Sequence, residues 1–262
     1  MINIKYVEER FGNGIDEINV LYLGDTHTGH PNYREDIVDK ALEEISNRPN
    51  GRIFIMGDLT EMALTKSVGN TYEQVITPEE QVDYWVEKLE SYKDIIIGFV
   101  GSNHNERAVK QVGMNPCRMM TKMLYGSNYD EKFFKYKVIV KYAFNKGTLD
   151  NLIWHGSRSS INWRTNLKFI WDQNETAEAD IYSMGHTHRL LYDDTRVRYV
   201  TDKRNMKLKK KRYYLVNTGS ALDWHDGYAE KSDKKPVLLG YPILKMAGWR
   251  GEQKVTVDKI TE

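Results

Sequence analysis

The sequence predicts an α/β fold in which two stacked β-sheets carry helices on their outer faces. Strand-like and helix-like segments alternate over the first hundred residues, as they do in β-α-β units. Strand-like segments recur in the second half of the chain, which indicates a second sheet. No linker, repeat or low-complexity segment divides the chain, so we expect a single domain over residues 1–262.

The first elements follow from apolar periodicity. Residues 20–23 form an apolar run typical of a buried strand, and apolar residues at helical spacing predict a helix over residues 33–47. A second strand is predicted over residues 53–56. The segment 59–72 has no clear period, and we interpret it as a loop or a short helix near the site.

The next helix has a clear start signal. Thr77 is a good N-cap residue, Pro78 suits the first helical position, and Glu80 completes the pattern of a capping box. A strand follows over residues 95–100. The segment 106–125 is rich in methionine, and we expect it to become helical at about residue 116, with its methionines in the core.

From residue 135 the apolar period changes to two, which predicts a strand with one wet face. A strand over 152–154, a helix over 162–171 and a strand over 181–184 follow. The last part of the chain is rich in β-formers. Its segments 196–200 and 212–216 are predicted to pair as a hairpin around a basic connection.

Composition excludes several classes of protein. Net charge is only +1, so no global field attracts nucleic acid or membrane. Cys117 is the single cysteine, which excludes an internal disulfide and fits a reducing compartment. Because no apolar run is long enough to span a membrane, we expect a soluble, cytoplasmic protein with no membrane partner.

Metal-ligand residues follow the predicted strands, at the point where each strand ends. They are Asp25, His27, Asp58, Asn103, His155, His186 and His188. Because ligands bind near the carboxyl ends of strands in α/β sheets, we expect these side chains to converge. Carboxylate, amide oxygen and imidazole together suit manganese, iron and zinc. His104 directly follows Asn103, so among the seven histidines only His30 and His225 lie outside these strand-end segments.

Five blocks of the sequence resemble the calcineurin-like metallophosphoesterase superfamily, and they occur in its order. The blocks are Gly24-Asp25-Thr26-His27, Gly57-Asp58-Leu59-Thr60-Glu61, Asn103-His104-Asn105-Glu106, His155-Gly156 and Gly185-His186-Thr187-His188. The resemblance spans about residues 18–220. It implies a four-layer αββα sandwich of two mixed β-sheets flanked by helices.

The resemblance also implies a role for each residue of the blocks. One metal ion is held by Asp25, His27 and His188. The other is held by Asn103, His155 and His186. Asp58 bridges the two ions, and His104 is the catalytic imidazole. We expect two divalent ions, with Mn²⁺ preferred and iron or zinc as alternatives.

The third block departs from the superfamily pattern. Ser102 separates Gly101 from Asn103, and Asn105 stands where an acidic residue is expected. That acid is normally a partner of the catalytic histidine, and Glu106, one position later, is the candidate to replace it. The departure therefore concerns the orientation and protonation of His104 more than metal binding.

These residues predict a metal-dependent phosphoesterase. Two metal ions would neutralise the phosphate oxygens and turn a bridging water into hydroxide, while His104 assists the leaving group. We expect phosphodiester hydrolysis on nucleic acid or a nucleotide. Two alternatives stay open, namely a phosphomonoesterase acting on a phosphoprotein or small molecule, and a catalytically silent, metal-bound interaction scaffold.

The sequence offers two sets of substrate-binding candidates. The basic connection of the hairpin, with tyrosines nearby, could bind DNA or RNA, although a solvated hairpin tip is the interpretation we favour. Its basic residues are Arg198, Lys203, Arg204, Lys207, Lys209, Lys210 and Lys211. The second set follows His155, where Arg158, Arg164 and Lys168 could hold a phosphate oxygen. The oligomeric state is left open.

Overall fold

The computed structural model describes residues 4–64, 71–145, 147–202, 205–225, 235–249 and 252–262. Within these residues the chain forms twelve β-strands and six α-helices. The strands are β1 Lys5–Arg10, β2 Glu17–Leu23, β3 Gly51–Ile55, β4 Ile96–Val100, β5 Phe133–Phe134, β6 Lys137–Phe144, β7 Gly147–Trp154, β8 Ile181–Met184, β9 Leu190–Asp202, β10 Lys207–Thr218, β11 Gly240–Trp249 and β12 Glu252–Thr261. The helices are α1 Glu35–Ser46, α2 Pro78–Glu90, α3 Asn103–Val112, α4 Pro116–Tyr125, α5 Tyr129–Lys132 and α6 Trp163–Trp171.

The strands form two six-stranded sheets, and both are mixed. The β8 sheet has the order β1-β6-β7-β8-β10-β9, in which β7, β8 and β10 run parallel. The β2 sheet has the order β12-β11-β2-β3-β4-β5, in which β2 to β5 run parallel. The predicted sandwich of two mixed sheets flanked by helices is confirmed.

Strand alternation assigns each side chain to a layer. Along β2, Leu21 packs with α1, α2 and α4, whereas Tyr22 faces the β8 sheet. Along β7, Ile153 faces the β2 sheet, whereas Leu152 packs with α6. The order of layers is therefore helices, β2 sheet, β8 sheet and helix, with one apolar core at each of the three boundaries.

Helix α2 begins as the sequence predicts. The Thr77 hydroxyl accepts a hydrogen bond from the Glu80 N–H (3.3 Å), and the Glu80 carboxylate accepts one from the Thr77 N–H (2.7 Å). Pro78 occupies the first helical position. The capping box satisfies backbone N–H groups that have no partner within the helix.

Helix α3 is not predicted by the sequence, which indicates a helix only from about Pro116, where α4 begins. The Ser102 hydroxyl accepts from the Asn105 N–H (3.4 Å), and the Asn105 amide oxygen accepts from the Ser102 N–H (3.1 Å). Gly113 ends the helix in the left-handed conformation, with φ 69°. Because only Asn105 and Ala108 are buried, α3 lacks the apolar stripe that would reveal it.

The interpretation of the methionines as core residues is only partly right. Met120 is buried and Met114 packs at the edge of the core. Met119 and Met123, however, are 37% and 53% exposed. Helix α4 lies on the outer face of the β2 sheet, so one side of it faces solvent.

The predicted hairpin is confirmed as β9 and β10, which pair antiparallel from the Lys207–Asp202 pair to the Thr218–Leu190 pair. The turn residues Lys203 and Arg204 lie outside the described residues. Among the helices that are described, none is long and apolar enough to cross a lipid bilayer.

Candidate metal centre

The residues predicted as metal ligands follow five strands that end at one edge of the sandwich. In the β2 sheet, the parallel strands β2, β3 and β4 lead into the first three blocks; in the β8 sheet, the parallel strands β7 and β8 lead into the last two. The structure brings all seven side chains together in this edge. We refer to the five loops that carry them as the motif edge.

Backbone conformation distinguishes the motif edge from the rest of the chain. Five of the seven candidate ligands have positive φ: Asp25 (49°), His27 (50°), Asp58 (47°), His186 (68°) and His188 (57°). This conformation costs a residue with a side chain on the order of 1–3 kcal/mol. The sharp turns it produces aim side chains from successive loops at a common point, which extended strands would not do.

Backbone hydrogen bonds hold the first two loops side by side. The N–H of Asp25 donates to the Gly57 carbonyl (3.0 Å), and the N–H of His27 donates to the Asp58 carbonyl (3.1 Å). The fifth loop approaches closely because Gly185 has no side chain; a Cβ there would lie 2.7 Å from Asp25 Oδ2. The His186 N–H can therefore donate to both carboxylate oxygens of Asp25 (3.0 and 2.9 Å).

The donors fall into two groups. Asp25, His27 and His188 form the first, with their donor atoms within 4.8 Å of one another. In this group His188 Nε2 lies 3.1 Å from His27 Nε2 and 3.5 Å from Asp25 Oδ1.

The second group comprises Asp58, His155 and His186, again within 4.8 Å. Asn103 joins it, because its Oδ1 lies 3.0 Å from His155 Nε2. Asp58 Oδ2 lies 2.9 Å from the same nitrogen. Asp58 also groups with His27 and His104, so it lies between the two sets of donors.

The donor chemistry fits bound cations. His27 Nδ1 faces the Glu61 carboxylate (2.8 Å) and His155 Nδ1 faces the Met56 carbonyl (2.8 Å). Each ring therefore donates through Nδ1 and presents its Nε2 lone pair to the centre, as metal-bound histidines do. The Nε2 atom of His27 faces His188 Nε2, and the Nε2 atom of His155 faces oxygen atoms of Asp58 and Asn103. The lone pairs of these atoms repel one another unless a proton or a cation lies between them. Asp58 Oδ1 is buried without a hydrogen-bond partner among the described residues.

The pKa values of the candidate ligands reflect the same crowding of buried ionisable groups. Burial raises the pKa of Asp25 to about 6. Burial opposes ionisation of Asp58 too, but the imidazoles of His104 and His155 hold its pKa well below the usual range. Burial likewise opposes protonation of His155, yet Asp58 and Asp25 raise its pKa to about 9. For His186, burial and the neighbouring His155 lower the pKa to about 4, which leaves it neutral, as a metal ligand must be.

His104 is oriented by a backbone group. Its Nδ1 donates to the carbonyl oxygen of Glu61 (2.9 Å), and its Nε2 lies 4.0 Å from Asp58 Oδ2. The expectation that Glu106 replaces the missing acid is wrong, because its carboxylate instead lies 3.8 Å from the Lys135 ammonium. Asn105 caps α3, which explains its presence at that position.

Glu61 is a site residue whose role sequence reasoning missed. Its carboxylate holds His27 and its carbonyl holds His104, so one residue positions a candidate metal ligand and the candidate catalytic imidazole. Glu61 is 7% exposed. The signal available in the sequence was its place in the second block, three residues after Asp58.

Five motif blocks therefore occupy the strand ends of a two-sheet sandwich, with their donors in two adjoining groups. This arrangement agrees with the two-sheet sandwich that the resemblance to the calcineurin-like metallophosphoesterase superfamily implies.

Several solved structures are similar to the chain, all at low sequence identity. Vacuolar Protein Sorting 29 from Cryptosporidium parvum is 14% identical, with a TM-score of 0.44, and the match covers 95% of this chain and 100% of that one. A metallophosphoesterase from Sphaerobacter thermophilus is 14% identical, with a TM-score of 0.44 and coverage of 93% and 88%. Wild-type Vps29 from Entamoeba histolytica complexed with Zn²⁺ is 14% identical, with a TM-score of 0.38 and coverage of 93% and 99%. No protein-family model and no curated protein sequence matches the chain.

Of the three predicted phosphate-binding residues after His155, two contact other side chains. Lys168 pairs with Asp172 (2.8 Å), and the Arg164 guanidinium lies over the Trp163 ring. Arg158 is exposed. A cleft beside the metal centre is lined by His186, Thr187 and His188 of the fifth block and by residues outside the motifs, among them Arg189 and Lys235.

The basic hairpin lies far from the metal centre along its own strands. Thr218, at the end of β10, is close to the motif edge, because Asn217 donates to Thr187 (2.5 Å). At about 3.3 Å per strand residue, Lys209 and Lys210 lie roughly 26–30 Å from that end. Lys211 is neutralised by Glu178 and Asp180, at 2.9 Å from each.

Proposed function

We propose that the chain is a two-metal-dependent phosphoesterase that hydrolyses phosphodiester bonds, with nucleic acid or a nucleotide as its substrate. One observation carries this proposal: two adjoining groups of donors share the neighbourhood of Asp58, whose buried Oδ1 has no other partner among the described residues. A site that binds a single ion, or a structural site closed by four ligands, does not need this arrangement.

We assign the ligands as follows. Asp25, His27 and His188 would hold one ion, Asn103, His155 and His186 would hold the other, and Asp58 would serve both. When bound, the two divalent ions would neutralise the phosphate oxygens and lower the pKa of bound water to near neutrality. Manganese is our first choice of metal and iron and zinc are the alternatives, because carboxylate, amide and imidazole donors suit all three.

The chain's own residues would orient the substrate and move a proton. With Nδ1 held by the Glu61 carbonyl, His104 presents Nε2 on the Asp58 side of the centre. From there it can hydrogen-bond the leaving oxygen and donate a proton as the ester bond breaks. His27, whose Nδ1 is held by the Glu61 carboxylate, keeps the neighbouring ion in a defined position relative to His104.

The basic hairpin does not enter this proposal. Its exposed lysines lie too far from the metal centre to contact the phosphate that reacts. A nucleic-acid or nucleotide substrate is supported instead by the cleft beside the centre, whose described lining includes Trp224, Arg189 and Lys235.

A comparison of two chromogenic substrates tests the function. We expect Mn²⁺-loaded protein to hydrolyse bis-p-nitrophenyl phosphate, and chelation of the metal to abolish the activity. Faster hydrolysis of p-nitrophenyl phosphate would overturn the diester preference in favour of a phosphatase. Two bound ions without turnover of either substrate would favour the scaffold, a role that the changed third block also suits, because His104 has a carbonyl partner where the superfamily has an acid.

A further inference from the structure

A cleft of about 190 Å³ opens beside the metal centre. Two candidate metal ligands, His186 and His188, form one side of the cleft. An organic group bonded to a phosphate at the metal centre could therefore extend into it. Trp224, Val237 and Ile161 give the rest of the lining an apolar character, while Arg189 and Lys235 add positive charge.

The Trp224 wall is held in place by the same backbone that positions the metal ligands. The Ser220 hydroxyl donates to the Asp25 carbonyl (2.6 Å) and accepts from the Leu222 N–H (3.0 Å). The Asp223 N–H then donates to the Asn32 carbonyl (2.9 Å). These hydrogen bonds fix the backbone that leads to Trp224, which favours a preformed surface over a mobile one.

The charged groups at the mouth are also fixed. Arg189 donates to the Ile161 carbonyl (3.1 Å), which holds its guanidinium at the rim. Asp223, the one carboxylate among the described lining residues, lies 3.7 Å from the Arg34 guanidinium, which also pairs with Asp36 (2.7 Å). With Arg189 and Lys235 against Asp223, the described lining carries a net positive charge, which suits a substrate that carries phosphate.

The position of the cleft distinguishes the two organic groups of a phosphodiester. His104, which assists the leaving group, does not belong to the lining within the described residues. We therefore assign the departing group to the His104 side of the centre and the cleft to the other organic group. A phosphomonoester has only the departing group, whereas a diester has a second one that remains on phosphorus.

We propose that this cleft binds the organic group that stays on phosphorus and selects an aromatic base packed against Trp224, so that the preferred substrates are nucleoside phosphodiesters. This inference rests on the phosphoesterase function proposed above. A planar base can stack on the indole, and the cationic rim would face further phosphate groups of the nucleotide.

Two esters with the same leaving group test the proposal. Thymidine 5′-p-nitrophenyl phosphate and methyl p-nitrophenyl phosphate both release p-nitrophenolate, so the chemistry at His104 is equal and only the retained group differs. Base stacking predicts that kcat/KM of Mn²⁺-loaded protein is about 5- to 100-fold higher for the thymidine ester. We expect Trp224→Ala to bring the ratio of the two values close to one, chiefly through KM, and Trp224→Phe to restore part of it.

Trp163→Ala is the matched control, because Trp163 is a 46% exposed tryptophan outside the cleft lining. We expect it to leave the ratio unchanged. The ratio of the two kcat/KM values does not depend on the fraction of protein that is folded. A loss of stability alone would lower both values and keep their ratio. A Trp224→Ala variant that keeps the ratio would therefore overturn the proposal.

Failure of the cleft proposal can be told from failure of the phosphoesterase. Equal kcat/KM for the two esters in the unmodified protein would overturn the cleft and leave the phosphoesterase intact. If neither ester is hydrolysed, the phosphoesterase fails, and calorimetric binding of thymidine 5′-phosphate then decides the cleft. If Trp224→Ala weakens the binding of thymidine 5′-phosphate by about 5- to 100-fold, the cleft proposal is supported. If the variant binds as tightly as the unmodified protein, the cleft proposal is overturned.

Discussion

The motif edge and the basic hairpin are both conspicuous sets of charged and polar residues in the sequence. In the fold, the first set is buried and the second is mostly exposed. The motif edge gathers residues from five loops into a buried group, with Asp25 0% and Asp58 1% exposed. The hairpin spreads its charges along two adjacent strands, where Lys209 and Lys210 stay exposed and Lys211 finds acidic partners.

The difference shows what makes a cluster chemically useful. Residues that are distant in sequence can share a point only if several strands end there and the chain turns sharply after each. Residues that are adjacent on one hairpin alternate between its two faces, and water screens those that are exposed. The following variants test this contrast, beginning with the largest expected effect.

Asp58→Ala should have the largest effect, because the proposal makes this carboxylate common to both ions. We expect the number of Mn²⁺ ions bound to fall below two and the affinity of those that remain to fall by more than about 100-fold, beyond what loss of an outer partner costs. Calorimetry and elemental analysis of the purified protein measure both. Retention of two tightly bound ions would show that Asp58 is not a shared ligand.

His104→Ala should separate catalysis from metal binding. We expect two ions to remain bound while hydrolysis of the dinucleotide thymidylyl-thymidine, whose alkoxide leaving group must take up a proton, slows by about 10²- to 10⁴-fold, as for loss of a general acid. The same calorimetric titration serves as the control. The assignment fails if the variant loses metal to the same extent as Asp58→Ala.

Glu61→Gln should act on one side of the centre only. The glutamine keeps the backbone carbonyl that holds His104 but replaces the carboxylate that holds His27. We expect the weaker hold on His27 to reduce the affinity for one ion by about 10- to 100-fold and to leave the other ion in place. An equal loss of both ions, measured by titration, would contradict this division of roles.

The double variant Lys209→Ala, Lys210→Ala should have the smallest effect. Both side chains are exposed and distant from the metal centre, so we expect kcat/KM on the thymidine ester to be unchanged. The affinity for single-stranded DNA, measured against salt concentration, gives a second test. If the hairpin binds the phosphate backbone, the slope should fall by about two in the variant, roughly one for each lysine removed.

Much of the fold could be predicted because its signals are local. The apolar runs before each block, the period-two strand after residue 135 and the capping box at Thr77 each depend on neighbours a few residues apart. Helix α3 could not be predicted in this way, because it buries only two side chains and is defined by the Ser102–Asn105 cap. A cap with asparagine in place of glutamate is a weaker signal than the one that begins α2.

The sequence by itself therefore determined the fold class and the identity of the donors, since strand periodicity and the residues that follow each strand are properties of short segments. Only the tertiary structure decided which partners those donors have. It places Glu61 between His27 and His104, turns Glu106 towards Lys135, and brings Trp224 beside the metal centre. These contacts depend on the positive-φ turns after the strands and on the order of strands in two sheets, which no local pattern specifies.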